Sequence, residues 1–217
     1  MRVLMIAAPG AGKGTQGERI AAHFEIPHVA TGDLLRDHVA RGTEIGTAVK
    51  GYLDRGELVP DDVMLGMVRE AFEVARDAGG YVLDGIPRTM AQARAAYDIA
   101  LELGMTAQVA LHLQVEPAEV VRRLLARAAE QGRSDDTEEV IAHRLQVYEE
   151  LTHPILDWYG ERGILVTVDA MRSPDEVTRD ILTALEVLRS VVDAVPESDR
   201  QAIDLTGLRD AFGGPPA

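Results

Sequence analysis

Lys13 sits in a run of small residues, Ala7-Ala8-Pro9-Gly10-Ala11-Gly12-Lys13-Gly14-Thr15-Gln16. The residue types suit the capture of a polyphosphate. Glycines let a backbone curl so that several N–H groups point inward. Those groups and a following helix N-terminus bind phosphate oxygens. The Lys13 ammonium neutralises charge between the outer phosphates, and the Thr15 hydroxyl suits Mg²⁺, directly or through water. The run departs from the general pattern G-x-x-x-x-G-K-[ST] at both ends. Ala7 stands at the first glycine position, and Gly14 separates Lys13 from Thr15. The plainer reading is an ordinary glycine-rich turn. An apolar run at 2–7 before it and a helical pattern from Lys13 after it favour the phosphate loop.

A second set of anion-binding residues lies further along. Thr31-Gly32-Asp33-Leu34-Leu35-Arg36 follows a short apolar stretch, and 81–89 reads YVLDGIPRT. The latter is a strand that ends in Asp84 and turns through Gly85 and Pro87 into Arg88. Ligands collect at the carboxyl ends of parallel strands. Asp84 is therefore placed to hold Mg²⁺-bound water, and Arg88 to grip an anion. A guanidinium binds phosphate with two hydrogen bonds, and two arginines, Arg36 and Arg88, match one monophosphate. Gln92 lies one helical turn beyond Arg88, with an amide that offers a donor and an acceptor to a base edge. The plainer alternatives are an N-cap for Thr31, a surface role for Arg36 and a solvated helix position for Gln92.

The third set is a charged stretch at 120–145. Arg123 and Arg127 share one helical face, Arg133 follows in a turn with Asp135 and Asp136, and Arg144 lies on the next helix. Such a hairpin is most often a solvated face, a reading that suits Arg122 and Glu130.

These groups need elements to position them. Strands are expected at 2–7, 27–30, 81–83, 109–115 and 164–168. Helices are expected at 13–24, over much of 31–76, and at 90–103, 117–129, 137–160 and 174–189, the last capped by Ser173. Strands alternating with helices predict βαβ units and a parallel sheet. From residue 190 the character changes. The stretch 197–212 suits a short amphipathic helix, and the Gly-Gly-Pro-Pro-Ala ending is expected to fray.

Composition narrows the function. The 217 residues carry a formal net charge of −14, which argues against a general nucleic-acid binder. A small site can still be locally positive. No cysteine is present, which removes disulfides and thiolate metal sites and fits a reducing compartment. The apolar start is too short for a signal peptide, and no later run reaches the length of a membrane span. A cytoplasmic protein is expected.

GKGTQ at 12–16, TGDLLR at 31–36, LDGIPRTMAQ at 83–92 and the lid spacing R-x-x-x-R, G-R-x-D-D and Arg144 together resemble the adenylate kinases of the short-lid type. The resemblance covers about 1–189. The family usually carries an aromatic residue at Ile86. The resemblance implies an α/β fold with three α/β/α layers, a parallel five-stranded sheet, a helical AMP-binding excursion at 30–59 and a short lid at 127–137. It implies ATP binding by Pro9, Gly10, Ala11, Gly12, Lys13, Gly14, Thr15, Arg123 and Arg127. AMP is implied to meet Thr31, Arg36, Leu58, Val59, Gly85, Arg88, Gln92, Arg133 and Arg144. The chemistry falls to Lys13, Arg88, Arg127, Arg133 and Arg144, with Mg²⁺ at Thr15 and Asp84 and no zinc. The acceptor is a phosphate already ionised near pH 7, so no general base is needed. A monomer is expected, with ATP, AMP and ADP as ligands and neither nucleic acid nor membrane as partner. The rivals are a uridylate/cytidylate kinase, which commonly carries Asn at the Gln92 position, a nucleotide-binding regulator without catalysis, and a small-metabolite kinase on the same loop.

Overall fold

The computed structural model describes residues 1–131 and 137–194. Alternation along the first strand sets its layers. In β1 (Arg2–Ile6), Val3 and Met5 join one apolar cluster while Leu4 and Ile6 join another. This is the two-residue period of a strand buried on both faces. β2 (His28–Ala30), β3 (Tyr81–Asp84), β4 (Val109–Gln114) and β5 (Leu165–Asp169) complete one parallel sheet in the order β2-β3-β1-β4-β5.

Helices fill the crossovers. α1 (Lys13–Phe24) follows β1. α2 (Thr31–Ala40), α3 (Glu44–Arg55) and α4 (Asp61–Asp77) lie between β2 and β3, and α5 (Met90–Glu102) follows β3. α6 (Pro117–Gln131), α7 (Glu138–Val147) and α8 (Ile155–Glu161) precede β5, and α9 (Pro174–Ala194) comes after it. Ile20 of α1 and Ile181 and Leu185 of α9 pack on one face of the sheet. Phe72 of α4, Ala96 of α5 and Ile155 of α8 pack on the other. The chain thus leaves β1 toward one face and the adjacent β3 toward the opposite face. A crevice opens between their carboxyl ends, where ligands bind in such sheets.

The structure differs from expectation in two helices. The helix expected across 137–160 is broken. α7 ends at Val147, and Tyr148–Thr152 forms a π-helical turn in which the His153 N–H donates to Tyr148 O at 2.8 Å. Pro154 explains the break, because proline lacks an N–H and its ring clashes with a carbonyl one turn back. α9 continues past Arg189 to Ala194 because Val192 is still buried in the first cluster. Its start matches expectation. The Glu176 N–H donates to Ser173 Oγ and the Ser173 N–H to a Glu176 carboxylate oxygen at 3.1 Å, a reciprocal capping box. The helix expected at 197–212 lies outside the described residues. No helix among the described residues is long and apolar enough to cross a membrane.

Candidate active site

The loop between β1 and α1 is shaped by close approach. Gly10 has φ +83°, and a methyl group there would lie 2.6 Å from Leu124 Cγ, so glycine is required twice over. The same contact pins the loop to α6, the helix of Arg123 and Arg127. Ala7 stands where the general pattern has glycine. It is 5% exposed, packs in the core, and is not among the positive-φ residues. Alanine therefore fits without backbone strain. Lys13 Nζ donates to Ala7 O at 2.8 Å and Ala8 O at 3.2 Å, which folds the ammonium back over the loop. Burial in the cleft lowers the Lys13 pKa, Arg88 and Arg127 push the same way, and Asp84 opposes them. A bound polyanion would relieve that stress.

The end of β3 is tied to the start of α2. Thr31 Oγ1 donates to Asp84 O at 3.2 Å. Gly85 has φ +94°, and a methyl group on it would sit 2.4 Å from that hydroxyl. Thr31 is fully buried and is not the N-cap of α2, which is Ala30. Arg36 is ion-paired with Asp33. Arg88 Nε donates to Gly85 O at 2.8 Å, and its own carbonyl accepts from Thr152 Oγ1 at 2.8 Å. The Arg88 side chain is open to the cleft. Desolvation, then repulsion from Arg144 and Arg36, lower its pKa against the pull of Asp84.

Gln92 departs most from its plainer alternative, a solvated helix position. It is 1% exposed. Thr89 caps α5 by accepting from the Gln92 N–H at 3.1 Å. The Gln92 side chain reaches back to accept from the Arg88 N–H at 2.8 Å, and its Nε2 donates to Asp61 Oδ1 at 2.7 Å. Thr89-x-x-Gln92 is the sequence signature of a capping box, displaced here by one residue.

These segments enclose one cavity of about 560 Å³, within the range of small-molecule sites. Its wall brings together Pro9, Gly10, Gly12, Lys13, Gly14 and Thr15 with Arg36, Leu58, Val59, Asp84, Gly85, Arg88, Gln92, Arg123, Arg127 and Arg144. Two expected contacts are absent from the wall. Ala11 is turned into the first core cluster, and Thr31 is spent on the Asp84 carbonyl. Arg133, Asp135 and Asp136 lie outside the described residues. Arg123 is held by Glu119 at 2.7 Å and by Ala170 O at 2.9 Å. Arg144 packs beside the C-terminal end of α3, where a methyl on Gly56 would meet its Cγ at 3.0 Å. Tyr148 and Thr152 also face the cavity and were missed from sequence. The only signal for them was Pro154, which forces the π-helical turn that displays both.

Six cationic side chains thus face one cleft in a chain of net charge −14. Thr15 and Asp84 stand on the same wall and supply a hydroxyl and a carboxylate. That is the hard-oxygen donor set of Mg²⁺, which takes one or two carboxylates and leaves other positions to water and substrate phosphates.

Comparison with known proteins agrees with this geometry. The adenylate kinase family model matches residues 5–164. An adenylate kinase of Thermobifida fusca is 45% identical over 186 residues, 86% of this chain and 98% of that protein. One from Kocuria rhizophila is 47% identical over 185 residues, covering 85% and 98%. An adenylate kinase of Leptospira biflexa is 44% identical over 184 residues, 85% and 99% of the two chains. With a glycine-rich loop between β1 and α1, an arginine-lined cleft at the sheet's carboxyl edge and relatives matched along nearly their whole length, the chain belongs to the adenylate kinase family.

Proposed function

We propose that the protein transfers the terminal phosphoryl group of ATP to AMP, reversibly and with Mg²⁺, yielding two ADP. The observation that carries this reading is the convergence of Lys13, Arg36, Arg88, Arg123, Arg127 and Arg144 on one cavity at the carboxyl ends of β1 and β3. Two polyanions must approach each other for this reaction, and their repulsion is the main obstacle. Fixed cations screen it and stabilise charge on the moving group, while alignment of donor and acceptor lowers the barrier further. No side chain is needed to remove a proton.

Pro9, Gly10, Gly12, Lys13, Gly14 and Thr15, with Arg123 and Arg127, bind ATP in this reading. Lys13 exchanges its loop carbonyls for phosphate oxygens. Arg36 and Arg88 hold the AMP phosphate, Gln92 faces its adenine, and Leu58 and Val59 line the base pocket. Arg127 and Arg133 contact the transferring phosphate, and Arg144 helps to hold AMP. Thr15 and Asp84 would hold Mg²⁺, which when bound neutralises phosphate charge. Residues 30–59 act as the AMP-binding region, 127–137 as a short lid that excludes water, and 190–217 as an extension outside the core. The absence of cysteine fits a cytoplasmic enzyme, acting as a monomer. The test is ADP formation from ATP plus AMP, with CMP, UMP and GMP as control acceptors. Failure of AMP to outperform the other three rejects the reading.

A further inference from the structure

The Gln92 amide is clamped from two sides by groups that cannot exchange roles. The Arg88 N–H only donates, and it meets Gln92 Oε1 at 2.8 Å. The Asp61 carboxylate accepts Gln92 Nε2 at 2.7 Å from the start of α4. An amide can otherwise rotate by half a turn and swap its donor and acceptor. Here the swap would set an N–H against an N–H on one side and a carbonyl against a carboxylate on the other. Each clash leaves a polar group unpaired, in a side chain that is 1% exposed.

The clamp leaves Gln92 with one N–H and one oxygen lone pair in fixed places. Adenine presents an acceptor at N1 and a donor at its 6-amino group. Hypoxanthine has the same outline with the pattern reversed, a donor at N1–H and an acceptor at O6. A Gln92 amide that cannot turn accepts one base and refuses the other. Asp61 itself is not on the cavity wall. It can act on the base only through Gln92.

We propose that Asp61 is the positioning residue for acceptor-base choice, fixing the Gln92 amide in the orientation that reads adenine and rejects a 6-oxopurine. The proposal rests on the reading of Gln92 as the residue facing the AMP base. Asp61 also has a plain structural role as an acidic residue in the first turn of α4, where a negative charge favours the helix dipole. The two roles separate on substitution. Asp61→Asn removes the charge yet keeps an oxygen able to accept from Nε2. Asp61→Ala removes both, and Asp61→Ser leaves a hydroxyl too short to reach.

The experiment measures kcat/KM for AMP and for inosine 5′-monophosphate, ATP saturating, in wild type, D61A, D61S, D61N and Q92A, with thermal melts on each. The expected result is an AMP-to-inosine-monophosphate ratio that falls about tenfold or more in D61A and D61S. In D61N the ratio stays within about twofold of wild type. A ratio unchanged in both D61A and D61S overturns the proposal, as does an equal fall in D61N, which assigns the effect to the helix charge. An unchanged ratio in Q92A also overturns it, because Gln92 is then not the reader. A wild type that does not prefer AMP at all instead defeats the adenylate reading on which the proposal stands.

Discussion

Thr152 Oγ1 donates to the main-chain carbonyl of Arg88 at 2.8 Å. This bond joins the π-helical turn that follows α7 to the segment carrying Arg88, and α7 carries Arg144. The two arginines also repel each other across the cleft. The bond therefore holds together two cations that would otherwise spread. Thr152→Val keeps the shape and removes the donor, and losing one such buried partner costs about 1–3 kcal/mol. The expected outcome is a lowered melting temperature and a KM for AMP raised roughly fivefold. Initial-rate kinetics with AMP varied checks it, and an unchanged KM for AMP rejects the coupling.

Lys13→Ala removes the ammonium that now spans Ala7 O and Ala8 O. If its work is done on phosphate charge during transfer, kcat falls at least about a hundredfold while ATP affinity changes much less. Single-turnover measurement at saturating nucleotide separates the two. An undiminished kcat removes Lys13 from the chemistry.

Arg88→Ala is expected to act on the other substrate. Loss of a phosphate-gripping guanidinium lowers kcat/KM for AMP by about a hundredfold and leaves the dissociation constant of ATP nearly unchanged. Calorimetric titration with each nucleotide checks the split. A fall in ATP binding with AMP binding intact reverses the assignment of the two halves of the cleft.

The parts of the fold and site that were legible in the sequence share one property: their signals are local. The apolar run of β1 followed by Gly10-Ala11-Gly12-Lys13 announces strand, loop and helix within a dozen residues, and β3 with Asp84 and Arg88 does the same. Partners brought together by the fold were not legible. Thr31 reads as a cap until β3 places the Asp84 carbonyl 3.2 Å from its hydroxyl. Gln92 reads as a base-edge amide, but nothing in the sequence announces that α4 brings Asp61 to clamp it. Ala7 reads as a departure from pattern until its backbone is seen to avoid the left-handed region. The break at Pro154 was present in the sequence, since proline cannot continue a helix interior, and it locates the turn that displays Tyr148 and Thr152.

Gly85→Ala tests the tightest joint in the crevice. The new methyl would lie 2.4 Å from Thr31 Oγ1 on a backbone with φ +94°. Both steric overlap and an unfavourable left-handed conformation follow, together about 2–4 kcal/mol. Urea unfolding should show a lowered midpoint with an unchanged slope. A variant as stable as wild type means that the turn relaxes freely and does not fix Arg88.

The acid limb of stability should depend on His112. This side chain lies on β4, 9% exposed, with its Nε2 3.2 Å from the Tyr148 hydroxyl. His153 and Lys13 also lie within electrostatic reach of it. Burial first, and then repulsion from those two groups, push its pKa from 6.5 down to about 4. In the unfolded chain His112 takes up a proton near pH 6.5, and in the folded chain only near 4. Between those values the unfolded chain holds the extra proton, so acidification favours unfolding. The stability in question is complete above pH 6.5 and is lost as pH falls toward 4, amounting to roughly 3 kcal/mol. His112→Gln, neutral throughout, is expected to flatten the dependence of unfolding free energy on pH across that window, whatever it does to stability at pH 7. Carboxylates titrate over the lower part of the same range in both proteins, so the difference between the two curves is the quantity to measure. Equal slopes from pH 6.5 to 5 mean that His112 takes its proton in the folded state without penalty, and that the strand tolerates a cation beside Lys13.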